Sequence, residues 1–207
     1  ASNNTAVGVH SLGANTTGTQ NVAVGQNAGA AVTTGTRNTI VGTLAGDAIT
    51  TGANNEAFGY GALTTNILGS RSTAIGTAAL LTQNPASATD MYNVAVGYEA
   101  GVALTTGVQN TLIGGLAGDA ITDADYNIAV GHRALTTNVL GSRSVAIGTD
   151  ALYNQNPASA ADMYNTAVGF NAGNAITTAS RDTLIGGLAG DAITTGGYNV
   201  AVGYTSL

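Results

Sequence analysis

The sequence predicts an all-β chain folded as a parallel β-solenoid, a β-roll of about twelve short rungs. Three observations carry this expectation. A glycine closes a short apolar run at Gly8, Gly25, Gly42, Gly59, Gly76, Gly97, Gly114, Gly131, Gly148, Gly169, Gly186 and Gly203, at a constant interval that is lengthened by four residues only before Gly97 and Gly169. The residues before each glycine are small or β-branched, as in Asn21-Val22-Ala23-Val24-Gly25, which suits a short strand. No window sustains a helical period. A unit this small cannot bury a core alone and must stack on its neighbours; at about 4.8 Å per strand the array forms a rod on the order of 50 Å long. A second short strand is expected in segments such as Ala48-Ile49-Thr50-Thr51.

A longer period overlies the short one. Gly25, Gly97 and Gly169 are equally spaced, one to every four rungs, and the segment from Thr111 to Thr122 recurs unchanged from Thr183 to Thr194. Composition does not shift along the chain, so residues 1–207 read as a single tandem-repeat solenoid with no internal boundary. Neither end carries a distinct capping unit, which predicts a fragment of a longer fibre or a subunit that stacks end to end.

Composition excludes several function classes. Only 8% of residues are charged, the net charge is −6, and the five basic residues are arginines scattered singly. Duplex binding needs clustered cations, so no nucleic-acid partner is expected. No apolar run approaches the roughly 20 residues that span a bilayer, so no membrane insertion is expected within this segment. With no cysteine, thiol catalysis and Cys-ligated zinc are excluded. No phosphate loop, nucleophile elbow or metal-ligand spacing is present; the repeated glycines mark strand ends. Asp47, Asp119 and Asp191 recur only once in four rungs, too sparsely for calcium, which takes six or more oxygens. Asp123 and Asp125 are the one local acidic pair, and His10 and His132 read as solvent-facing. The expectation is a protein that is not an enzyme, with no catalytic, cofactor-binding or metal-binding residues and no cofactor.

Position by position, the rung suggests how it packs. Four residues before the glycine stands Asn in nine rungs, among them Asn21, Asn38, Asn93, Asn110, Asn127, Asn165 and Asn199, with Ser72, Ser144 and Asp182 in three others. Such side chains bond local backbone and one another, which predicts a structural ladder along the rod. The residue just before each glycine is always Val, Ile or Phe and is expected to line the interior. The residue two before is Ala, or Ile40, Leu112 or Leu184, and alternation assigns it the opposite face. Both faces are thus apolar, so an outward Ala face covered by neighbouring chains is expected, and with it an oligomer.

Two rungs are longer by four residues. Gln83 to Tyr92 is matched by Gln155 to Tyr164, and these segments hold both prolines and both methionines of the chain. Extra residues in a solenoid emerge as loops on one face. Asp90, Met91 and Tyr92, with Asp162, Met163 and Tyr164, are the candidate partner-contact or trimer-contact residues, because Tyr and Met supply adaptable contact area.

The runs Ser72-Thr73-Ala74-Ile75-Gly76, Ser144-Val145-Ala146-Ile147-Gly148 and Asn93-Val94-Ala95-Val96-Gly97 resemble the repeats of trimeric autotransporter adhesin heads. The longer unit, Asn-Thr-Ala-Val-Gly-x-x-Ala-Gly, is similar to repeats in phage and viral tail fibre proteins. The resemblance covers essentially the whole chain and implies a left-handed parallel β-roll associating as a homotrimer. The repeats of this chain are somewhat longer than those of the adhesin heads. The function implied is that of a structural or adhesive fibre segment, extracellular on a cell surface or virion, acting as a stiff spacer or receptor-presenting head. A host-cell receptor or glycan is the external partner expected. Two alternatives are an ice-binding β-solenoid, suggested by Thr pairs such as Thr33-Thr34 and Thr50-Thr51, and a self-stacking extracellular filament subunit. Adjacent threonines point to opposite faces, which weighs against the first.

Overall fold

A computed structural model describes residues 2–207. Among these residues the chain is all-β, without a helix, and forms a parallel β-solenoid of about twelve turns. The principal sheet has twelve three-residue strands from Thr5–Val7 to Val200–Val202. Every neighbouring pair is parallel and in register, so Ala23 stands beside Ile40, Ala57 beside Ala74, and Ala129 beside Ala146. The chain leaves the sheet at each glycine and returns one turn later, always to the adjacent place.

The glycines end the strands because the corner requires them. Gly131 has φ of +137°, a conformation rarely open to residues with a Cβ. A Cβ there would also lie 2.5 Å from the carbonyl oxygen of Gly148 in the next rung.

The interior is narrow, and the structure reverses the expected facing of the strand. Ala23, Ala57, Ala74, Ala95, Ala129 and Ala146 are fully buried, whereas the Val, Ile or Phe before each glycine looks outward. Alternation is obeyed, but the face that turns inward is the smaller one. Across from it, the Ala three residues after the glycine, such as Ala28 and Ala117, is equally buried. Two ways of filling the remaining space are interspersed along the rod. One sets Leu63, Leu80, Leu135 or Leu152 four residues after the glycine and an amide, such as Asn138 or Gln155, at the seventh. The other sets glycine at the fourth and Val32, Ile49, Leu104, Ile121 or Ile176 at the seventh. Glycine is needed there because a large side chain two before a strand-closing glycine occupies the space. A Cβ on Gly118 would sit 2.8 Å from Leu112 Cδ2, and one on Gly101 would sit 2.7 Å from Leu112 Cδ1.

The expected second strand at Ala48 to Thr51 is absent. That segment is a turn followed by irregular chain, with Ile49 turned into the core. Among the described residues, second strands occur only beside the long rungs, as two-residue parallel pairs: Gly69–Ser70 with Thr89–Asp90, and Gly141–Ser142 with Ala161–Asp162. In the other rungs the corresponding segments also stack on the next turn through backbone bonds, as from Thr33 N to Thr50 O at 3.0 Å, but without forming a strand.

Candidate functional site

No pocket opens among the described residues, and the candidate surfaces are the outer faces of the rod. The largest is the outside of the twelve-stranded sheet. One column is apolar in every rung and includes Phe58, Ile75, Ile113, Ile147 and Ile185, each 36% to 42% exposed. The parallel column two residues earlier alternates Thr, Val and Ile, with Glu56 its one charge. A contiguous apolar face of this length exceeds the scattered exposure usual on soluble monomers.

Inside the rod, directly behind this face, runs the asparagine ladder. Asn21, Asn38, Asn55, Asn93, Asn110, Asn127 and Asn165 are essentially inaccessible to solvent. Each Oδ1 accepts a backbone N–H from the next rung where that partner is present: Asn38 N donates to Asn21 Oδ1 at 2.9 Å, and Asn127 N to Asn110 Oδ1 at 2.9 Å. Each Nδ2 donates to a carbonyl fourteen residues on, as from Asn38 to Gly52 at 2.9 Å and from Asn127 to Gly141 at 3.0 Å. These buried amides therefore satisfy backbone groups that would otherwise be costly to bury. In the long rungs serine is too short to continue the ladder, and a nearby glutamine takes its place. Gln83 Oε1 accepts from Ser72 Oγ at 3.2 Å and from Asn93 Nδ2 at 3.0 Å; Gln155 does the same for Ser144 and Asn165. The pairing of Ser72 with Gln83, and of Ser144 with Gln155 at the same separation, was visible in the chain and is the signal that a sequence reading passes over.

Asp182 is the flaw in this ladder. Its Oδ1 accepts from Asn199 N at 2.8 Å, but its buried Oδ2 has no partner where an asparagine would present a donor. Asp182→Asn is expected to raise stability by about 1 kcal/mol, by supplying that donor and removing a buried acceptor. Matched thermal melts check it, and a lower melting temperature in the variant refutes it.

The long rungs place their candidate residues unequally. Met91 and Met163 are buried, which corrects their assignment as contact residues. Their side chains cover Gly69 and Gly141 of the preceding rungs, where a Cβ would lie 3.2 Å and 3.0 Å from Met91 Cγ and Met163 Cγ. Pro85 and Pro157 also face inward, while Ala86 to Ala88 and Ala158 to Ala160 are exposed. Asp90, Tyr92, Asp162 and Tyr164 remain on the surface. Asp90 pairs with Arg71 Nε at 3.2 Å and Asp162 with Arg143 Nε at 3.0 Å. Tyr92 and Tyr164 belong to a corner column of left-handed residues in which arginines lie over tyrosine rings. Arg143 lies 4.7 Å from the Tyr126 ring centroid, Arg181 5.6 Å from that of Tyr164 and 5.3 Å from that of Tyr198. The hydrogen bond to Asp162 holds the Arg143 guanidinium above its ordinary pKa, as that to Asp150 does for Arg133.

The remaining polar features serve the rod itself. Burial raises the carboxyls of Asp47 and Asp119, and each leaves one oxygen unpartnered. A folded pKa above the unfolded value means that their ionisation opposes folding, with the cost appearing as pH rises through the carboxylate range. Asp125 Oδ1 accepts from Val108 N at 2.7 Å, while Asp123 accepts from the hydroxyl of Thr122. Thr16, Thr33, Thr50, Thr105 and Thr177, each the first of a threonine pair, donate their hydroxyls to the next rung, as from Thr33 to the Thr50 carbonyl at 3.2 Å and from Thr105 to that of Thr122 at 3.2 Å. His10 and His132 are exposed.

Comparison with models of protein families, with curated proteins and with solved structures finds no match for this chain.

Proposed function

We propose that this chain is a structural or adhesive segment of an extracellular fibre, of the kind found in cell-surface adhesins and viral tail fibres, and that it works as a homotrimer. The unbroken outward column of Val, Ile and Phe supports this reading most directly, because it gives every rung the same apolar contact to make. Association through it would bury β-branched side chains already ordered by the sheet, so little rotamer entropy is lost. The parallel ladder and internal amide bonds make each subunit stiff, as a spacer or presenting head requires. The subunit performs no chemistry in this reading; its product is length and a repeated surface.

Light scattering on the purified chain is expected to give three times the 20.2 kDa mass of one chain. Ile147→Asp, on the outward face, is expected to dissociate the assembly while leaving the β circular dichroism spectrum intact, since a lone carboxylate in an apolar contact costs several kcal/mol. A wild-type protein that stays at the single-chain mass over the micromolar range overturns the proposal.

A further inference from the structure

A second column of this rod carries a longer period than the rung. From the fourth rung onward, Tyr60, Tyr98, His132, Phe170 and Tyr204 follow the strand-closing glycine of every second rung, whereas Val9 and Gln26 hold that position in the first two. The rung before each of these places Thr43, Thr77, Gly115, Thr149 and Gly187 at the same position. The rings are open to solvent: Tyr98 and Phe170 are each 57% exposed. Tyr204 and His132 lean over the glycine of the rung before, since a Cβ on Gly187 would lie 3.4 Å from Tyr204 Cδ2 and one on Gly115 would lie 3.6 Å from His132 Cδ2.

The column is rigid. The N–H of the following position in each next rung donates to its carbonyl, from Leu116 to Tyr98 at 2.9 Å and from Leu188 to Phe170 at 2.8 Å. The bonds persist where the long rungs intervene, from Glu99 to Thr77 at 2.9 Å and from Asn171 to Thr149 at 3.0 Å. Successive rings are therefore held two strand spacings apart, about 9.6 Å. Side chains able to bond hydroxyls directly follow two of the rings in sequence: Glu99 after Tyr98, and Arg133, paired with Asp150, after His132.

We propose that this aromatic row is a track for a linear, uncharged polysaccharide with an extended β-1,4-linked backbone lying along the rod. In such a chain successive sugars turn over, so an equivalent C–H face recurs every second sugar, over a length close to two rungs. Rings set at that interval meet the same face each time, whereas an α-1,4-linked chain curls out of register. Aromatic rings offer the flat apolar surface that such faces need, with the neighbouring polar groups fixing orientation. A net charge of −6, with carboxylates beside the row, favours a neutral glycan over a polyanionic one. The inference rests on the fibre reading in one respect, that the rod lies outside the cell where such polymers are met.

The test is retention of the assembled protein on microcrystalline cellulose and on chitin, with granular starch as the α-linked control. The wild-type protein is expected to bind cellulose or chitin and not starch. The double variant Tyr98→Ala with Phe170→Ala is expected to bind at least tenfold more weakly at unchanged mass and melting temperature. No retention on either β-linked polymer, equal retention on starch, or equal binding by the double variant overturns the proposal. So does a double variant of altered mass or melting temperature, which assigns the rings to a contact between subunits. Mass in solution without glycan tests the fibre reading separately: a trimer that binds neither polymer refutes only the track, and a 20.2 kDa monomer that binds cellulose refutes only the trimer.

Discussion

Ala129→Asp is expected to prevent folding. Ala129 is fully buried in the strand Ile128–Val130, beside Leu112 and Ala146 in the flanking rungs. Its side chain points into an interior whose opposite wall is made of alanines and leucines, including the buried Ala134 and Leu135. A carboxylate there finds no cation and no room. The charge alone costs several kcal/mol, and even the neutral acid overpacks the site by about 1–3 kcal/mol. A domain of this size has a net stability of roughly 5–15 kcal/mol, so most of it would be removed. The expected result is insoluble or uncooperatively melting protein, in contrast to Ile147→Asp, which should remain folded and lose only its partners. If both variants fold and both merely dissociate, the inward facing of the alanines is wrong.

Gly131→Ala is expected to cost about 3 kcal/mol or more. The φ of +137° strains any residue with a Cβ, and here the Cβ would meet backbone, 2.5 Å from Gly148 O and 2.6 Å from Gly148 C. Neither atom can yield without opening the ladder, where Gly148 N donates to Val130 O at 2.7 Å. Each kcal/mol moves the melting temperature by about 2–4 °C in a chain of this length. Gly196→Ala is the matched control, because no atom lies within 4 Å of where its Cβ would stand, and its effect stays within about 0.5 kcal/mol. Equal melting temperatures for the two variants would refute the corner geometry.

These two positions mark where the sequence is sufficient and where it is not. The spacing of Gly131 and its equivalents by itself determined the solenoid, the number of rungs and the parallel pairing, because a unit this short with a single strand can bury an apolar face only on copies of itself. The identity of Gln83 and Gln155, just ahead of the inserted loop in each long rung, held the ladder repair in plain view. Which face of Ile128-Ala129-Val130 turned inward was different. Period-two alternation groups residues by face, and when both groups are apolar it does not say which one is inside. Cross-section decided it: each rung must close within one short repeat around the alanines, and Asn127 must share their side to reach the carbonyl of Gly141. The same enclosure drew Met91 and Met163 in over Gly69 and Gly141, although their loops lie outside. The aromatic row was present in the sequence as alternate rungs, but its interval in space exists only because the backbone bonds at that corner keep every rung one strand spacing from the next, whatever the length of chain between them.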